Sequence, residues 1–183
     1  MTGLEDAVVD AAGRGDRDAV EAVYRTLAPR VQGYLRGRGV EDPEGLTNEV
    51  FIAVLPRLAE LRGGAAGLRT LVFSVAHARA VDDHRRRSRW GMNASYEPEL
   101  DPRLADSAES VVMGGVATEQ VSELLEELGE EQRAVIMLRV LAGLSLEETA
   151  NVLGKSVGSV KQLQRRGLLR LKDVVTAGGG RLS

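Results

Sequence analysis

Gly154, Lys155 and Ser156 form a Gly-Lys-Ser triplet inside the stretch "NVLGKSVGSVKQLQRRGLLRL", residues 151–171. That triplet is how a phosphate-cradling loop ends, and it is also what a tight turn between two helices looks like. A nucleotide loop needs an earlier Gly, separated from this one by four residues and following a buried strand. The required position is Thr149, and the preceding "SLEETANVL" has helical rather than strand character. Without that Gly the backbone amides cannot wrap a phosphate. The helical alternative accounts for every residue. Ser145 and Glu148 have capping-box spacing. Leu146, Thr149, Ala150 and Leu153 cover one short helix, and Gly154 ends it where a Cβ would be costly. Ser156 then caps a longer helix with Val157, Val160, Leu163, Leu168 and Leu171 as its apolar set. A short helix, a Gly turn and a basic helix predict a helix-turn-helix. Its second helix presents Ser159, Lys161, Gln162, Arg165 and Arg166, side chains that reach base edges or phosphates in a major groove. A solvated helical hairpin whose charges simply face water is the competing reading.

A second basic cluster lies in "DDHRRRSRW", residues 82–90. Asp82 and Asp83 beside it suggest local ion pairs of little energetic weight. His77 and His84 share a helical face, but no third ligand accompanies them, so no metal is expected. No Ser-His-Asp or paired-carboxylate arrangement points to catalysis, and no cofactor is implied. The net charge of −3 conceals strong asymmetry. The basic segments alternate with the acidic "YEPELDPRLADSAE" (96–109) and "TEQVSELLEELGEE" (118–131), a pattern more informative than the sum.

Helices must position these groups. Aromatics are only 3% of a chain that is 43% hydrophobic, so the core is built of Leu, Val and Ala, which suits helices better than a sandwich or barrel. The 183 residues divide into two small helical domains. Residues 1–90 carry helices over about Leu4–Gly13, Asp16–Arg36, 43–61 and 68–88. Pro29 and Pro56 should kink or bend theirs, Asp42-Pro43 reads as N-cap and first helical position, and "RGGAAG" (62–67) reads as a loop. Val20, Val23, Tyr24, Leu27 and Val31 fall on one apolar stripe. Phe51 and Phe73 read as core, and Trp90 as a lid or a DNA contact. Residues 91–116, with Pro98, Pro102, Gly114 and Gly115, predict a flexible acidic linker. Residues 117–176, capped near Thr118, hold the second domain, and 177–183 a frayed tail. The chain has no Cys, its first twenty residues lack signal-peptide character, and its longest apolar run is too short to cross a bilayer. A cytoplasmic protein with no membrane insertion is expected.

Together these segments resemble a known family. The stretch 128–172 is similar to the C-terminal domain of extracytoplasmic-function sigma factors of the sigma-70 family. "EDPEGLTNEVFIAVLPRL" is similar to the helix of that family that docks on the polymerase clamp. "LRTLVFSVAHARAVDDHRRRSR" is similar to the segment that reads and opens the minus-10 element. The resemblance covers about residues 16–172. It implies an all-α protein with sigma domains 2 and 4, no enzymatic activity, and recruitment of core RNA polymerase, through its clamp and flap regions, to promoter DNA. It also implies control by an anti-sigma factor. Asp42, Asn48 and Glu49 fall on the clamp-docking motif. Arg79, His84, Arg85, Arg86, Arg87 and Arg89 fall on the helix facing promoter DNA. Ser159, Lys161, Gln162, Arg165 and Arg166 lie on the helix that reads the minus-35 element. The chain departs from the family pattern at Gly45 and Asn48, and also at Leu71 and Ala78, where the loss of an amide that would read a flipped base predicts an unusual minus-10 sequence. The "RGGAAG" segment corresponds to the family's specificity loop, and the acidic linker to a strand lying in the polymerase's nucleic-acid channel. A stand-alone helix-turn-helix regulator and a helical protein-interaction module remain the alternatives.

Overall fold

The computed structural model describes residues 4–91 and 119–178. They form eight α-helices and one 3-10 segment, with no strand among the described residues. The linker carboxylates, the Thr118 cap and the chain end beyond 178 lie outside that range.

The first lobe holds α1 (Asp6–Gly13), α2 (Arg17–Gly37), α3 (Pro43–Val54), the 3-10 segment Leu55–Glu60 and α4 (Gly64–Gly91). Local chemistry sets most of these limits. Asp16 caps α2 by accepting from Ala19 N at 2.9 Å. Asp42 caps α3 by accepting from Gly45 N at 2.8 Å, with Pro43 in the first turn. Pro29 stays within a continuous α2 on its exposed side. Pro56 instead coincides with the change from α-helix to 3-10 geometry at Leu55. The apolar stripes meet in a core of Val23, Leu27, Val31, Tyr34, Val50, Phe51, Val54, Leu68, Val72 and Phe73, all at 2% exposure or less. The Tyr34 and Phe73 rings pack edge to face at 5.8 Å.

The "RGGAAG" loop expected at 62–67 is corrected. α4 begins at Gly64 and contains most of that segment. Gly63 (φ 90°) and Gly64 (φ 55°) turn the chain, and a Cβ on Gly67 would overlap the Arg62 carbonyl. The cap comes from elsewhere: Asp6 of α1 accepts from Ala65 N at 2.7 Å. Glycine punctuation read alone could not reveal a capping carboxylate supplied from the other end of the lobe.

The second lobe holds α5 (Glu119–Glu126), α6 (Glu130–Val140), α7 (Leu146–Leu153) and α8 (Val157–Gly178). Both helices at the domain limits are longer than predicted. α4 runs to Gly91, and α8 takes in two residues assigned to the tail. Val135, Ala150, Val160 and Leu163 form a small core of this lobe. Its other buried residues, including Leu128, Met137, Leu138, Leu144 and Val152, join the first lobe's core in one cluster. α7 packs on α4 and α6 meets α2. No helix among the described residues is long and apolar enough to cross a membrane.

Candidate nucleic-acid interface

The helix-turn-helix is built as its residue types dictate. Ser145 Oγ accepts from Glu148 N at 3.1 Å, and Ser145 N donates to Glu148 Oε2 at 2.5 Å, a complete capping box. Thr149, fully buried where a nucleotide loop would need Gly, donates its hydroxyl to Ser145 O at 2.8 Å. α7 ends at Gly154, left-handed at φ 61° and ψ 35°. Lys155 N donates to Ala150 O at 2.9 Å and Gly154 N to Asn151 O at 3.4 Å, the paired bonds of a Schellman ending. Ser156 Oγ accepts from Ser159 N at 3.1 Å and opens α8. Lys155 Nζ sits 2.6 Å from Glu131 Oε1 on α6. The apparent P-loop lysine is thus a strut between the turn and the preceding helix.

Val160 and Leu163 hold α8 in the lobe, which fixes the face it turns outward. Ser159, Lys161, Gln162, Arg165 and Arg166 are all exposed on it. Ser159 Oγ is hydrogen-bonded to Ser156 Oγ at 3.0 Å, so its hydroxyl already serves the cap. Arg170 is paired with Glu127 at 2.7 Å. Among the described residues, Lys161, Arg165 and Arg166 have no ion-pair partner and stand as cations toward solvent. Leu168, assigned to the apolar set, is half exposed beside them.

The basic run at the end of α4 divides in two. His84 and Arg89 are exposed, and Arg85 and Arg86 make only long pairs, 3.9 Å to Asp82 and 3.7 Å to Asp83. Arg87 is committed to structure. It bonds Asp83 Oδ2 at 3.0 Å and Gly39 O at 2.8 Å, tying α4 to the α2–α3 turn. Trp90 lies on α4, and its side chain is outside what the structure describes. Leu71 is half-buried and Ala78 exposed. Among the described residues no group of three potential ligands surrounds His77 or His84.

The α3 face carries Asn48 and Glu49, both exposed. Glu49 pairs with Arg79 of α4 at 3.3 Å, so a residue assigned to polymerase and one assigned to DNA meet in one ion pair. Asp42 is spent on capping, and a Cβ on Gly45 would overlap its carboxylate, which accounts for Gly at that departure from the family pattern. Two neighbours escaped the sequence reading. Tyr24, assigned to the buried stripe, is partly exposed; its ring packs on Phe51 at 4.8 Å and its hydroxyl donates to Asn48 Oδ1 at 2.8 Å. Ile52 is 72% exposed, and the available signal was its place on α3 off the stripe of Leu46, Val50, Val54 and Leu58.

Arg38 was also missed. Its side chain is only 6% exposed, and it reaches across to the second lobe, donating to Glu130 Oε1 at 2.8 Å and Glu130 O at 3.0 Å. Close by, Tyr34 Oη and His77 Nδ1 are 2.9 Å apart. Burial pushes the Tyr34 hydroxyl pKa well up, with Arg38 opposing and Glu130 adding, so the phenol stays protonated while it is hydrogen-bonded to His77. Burial chiefly, and then Arg38, hold the His77 pKa below its usual value, with Glu130 opposing. The imidazole is therefore neutral near pH 7.

A capped helix-turn-helix with a free basic helix, packed against a second helical lobe bearing its own basic helix, has the architecture expected of a helical protein of the transcription apparatus. Residues 124–173 match the model of the family described as sigma-70, region 4. The ECF RNA polymerase sigma factor SigD of Mycobacterium tuberculosis is 35% identical, over 95% of this chain and 85% of that protein. ShbA of Streptomyces griseus, another ECF sigma factor, is 32% identical over 91% of this chain and 92% of its own length. The chain belongs to the ECF sigma factors of RNA polymerase, and the stand-alone-regulator alternative gives way. Its fold agrees with solved structures. The sigma factor RpoE of Bartonella quintana, in complex with the anti-sigma factor NepR, superposes with a TM-score of 0.69 at 16% identity, over 85% of this chain and 96% of that one. CnrH, bound to the cytosolic domain of CnrY, gives 0.65 at 20% identity, over 95% and 98%.

Proposed function

We propose that this sigma factor works in the cytoplasm by binding core RNA polymerase through α3 and delivering promoter DNA to it through α4 and α8. Residues 1–90 act as sigma domain 2 and 117–176 as sigma domain 4, with 91–116 joining them. Asn48 and Glu49, flanked by Tyr24 and the exposed Ile52, form the polymerase-facing patch. His84, Arg85, Arg86 and Arg89 contact promoter phosphates near the minus-10 element, joined by Arg79 once Glu49 turns to the polymerase. Lys161, Gln162, Arg165 and Arg166 enter the major groove of the minus-35 element. Phosphate contacts hold register and orientation, and base-edge contacts carry sequence. No covalent step is assigned to any of these residues. The protein's contribution is binding energy exchanged for duplex opening, with an anti-sigma factor as the partner that withholds it. The structural neighbour RpoE, solved in complex with the anti-sigma factor NepR, supports that last element.

The observation that carries the reading is the solvent-facing set Lys161, Arg165 and Arg166 behind a fully capped turn, in the same chain as the Asn48–Glu49 patch. Run-off transcription with purified core polymerase and genomic templates tests it. Specific transcripts should appear only when the chain is added, and Asn48→Ala with Glu49→Ala should abolish polymerase binding while leaving duplex binding by α8 intact.

A further inference from the structure

The patch on α3 has a support on α2. Glu44, Asn48 and Ile52 follow one another at one-turn spacing on α3, so they share a face, and all three are exposed. The Tyr24 ring reaches this face from α2. It packs on Phe51 with ring centroids 4.8 Å apart and planes tilted by 59°. Phe51 is 2% exposed and anchors the ring from the core side. The Tyr24 hydroxyl donates to Asn48 Oδ1 at 2.8 Å. An amide on an open helix face loses rotamer freedom on binding unless something already holds it. Tyr24 holds it at low entropic cost, because its own ring is fixed by Phe51.

The same bond decides which end of the amide is offered outward. With Oδ1 bonded to the phenol, the two Nδ2 donors are left for a partner. Gly45, three residues earlier on α3, adds no side chain beside the amide, and a Cβ there would overlap the Asp42 carboxylate. The surroundings limit what that partner carries. Glu44 and Glu49 flank the amide with negative charge, and Glu44 has no ion-pair partner among the described residues. A carboxylate approaching here is repelled. The acceptor that suits Asn48 is therefore neutral, a backbone carbonyl or a side-chain amide, with cations beside it for the two glutamates and an apolar seat for Ile52.

We propose that Tyr24 is a positioning residue for polymerase docking: its hydroxyl fixes Asn48 with the amide donors outward, toward a neutral acceptor on the polymerase surface. Tyr24 acts through Asn48, and its ring on Phe51 is what keeps the hydroxyl in place. The inference rests on the assignment of α3 as the polymerase-facing element, and the variants below separate a failure of that assignment from a failure of the Tyr24 role.

Core polymerase titrated into the fluorescently labelled full chain tests the proposal, with Tm measured on every variant. Tyr24→Phe keeps the ring on Phe51 and removes only the hydroxyl. It should weaken polymerase binding about fivefold while leaving Tm and the binding of a minus-35 duplex unchanged. Asn48→Ala should weaken polymerase binding about tenfold. Adding Tyr24→Phe to Asn48→Ala should cost nothing more, since the hydroxyl then has no amide to hold. Asn48→Asp still accepts from Tyr24 but offers no donor, and should bind at least as weakly as Asn48→Ala. Wild-type affinity in Tyr24→Phe would overturn the proposal. Additive losses in the double variant would do the same, as would an Asn48→Asp chain that binds as tightly as wild type. If Tyr24→Phe lowers Tm, the double variant and Asn48→Asp still decide, because a purely structural hydroxyl would give additive losses. An Asn48→Ala chain that binds polymerase like wild type would instead count against α3 as the docking element.

Discussion

Arg165 and Arg166 stand on the outer face of α8 with no ion-pair partner among the described residues, whereas Arg170, one turn on, is held by Glu127 at 2.7 Å. The difference sets a quantitative expectation. A cation that neutralises a phosphate releases condensed counterions and adds about 0.9 to the slope of log K against log salt. Arg165→Ala with Arg166→Ala should therefore reduce that slope by about 1.8 if both meet phosphates. Between 50 and 200 mM salt the wild type's advantage over the variant should shrink about tenfold, or ~1.4 kcal/mol. If one arginine reads a base instead, the slope falls by only about 0.9, and roughly 1–3 kcal/mol of discrimination at one base pair disappears. Arg170→Ala should change the slope by less than either, since Arg170 must leave Glu127 to reach DNA. Fluorescence anisotropy of a labelled minus-35 duplex across a salt series, with the holoenzyme, measures all three. An unchanged slope in the double variant would refute the placement of α8 in the groove.

Four further outcomes follow from the same geometry. His77 is neutral in the fold because burial and Arg38 depress its pKa, so the unfolded chain binds more protons between that lowered value and about 6.5; stability should fall as pH drops through that window and level off below it. Tyr34→Phe removes the hydroxyl bonded to His77 Nδ1 and should cost about 1 kcal/mol in urea denaturation at pH 7.5; an unchanged midpoint would show that this bond adds nothing to stability. Gly154→Ala forces a Cβ into the left-handed position at φ 61°, and calorimetry should show a loss of about 1 kcal/mol, a Tm decrease of ~2–4 °C. Ile52→Glu should weaken polymerase binding at least tenfold in a pull-down titration without lowering Tm, since Ile52 is 72% exposed; an unaffected complex would move the docking patch off α3.

The fold was legible where its signals are local. Ser145 with Glu148, Gly154 and Asp42-Pro43 lie within a few residues of the turns they shape, and each has the predicted geometry. The start of α4 was not legible, because its cap comes from Asp6 and glycine spacing says nothing of a carboxylate supplied across the lobe. The candidate site divides along the same line. The outward set on α8 follows from the helical period of Val160 and Leu163. Arg87 reads like its basic neighbours, yet its guanidinium is taken by Asp83 and the Gly39 carbonyl. Arg38 sits in a Gly-rich turn that reads as solvent-facing, and only the second lobe's approach gives it Glu130. Tyr24 matched the apolar stripe by spacing, but an amphipathic ring satisfies a stripe with its body and the surface with its hydroxyl.

The central claim is that one chain supplies both polymerase docking and promoter reading. Run-off transcription with core polymerase, comparing wild type, Asn48→Ala/Glu49→Ala and Arg165→Ala/Arg166→Ala on the same genomic templates, tests it most directly. Discrete transcripts are expected with wild type, none with the α3 variant because polymerase is not bound, and none or few with the α8 variant although polymerase is bound. Transcripts of equal strength from all three proteins, or none from wild type on any template, would contradict it.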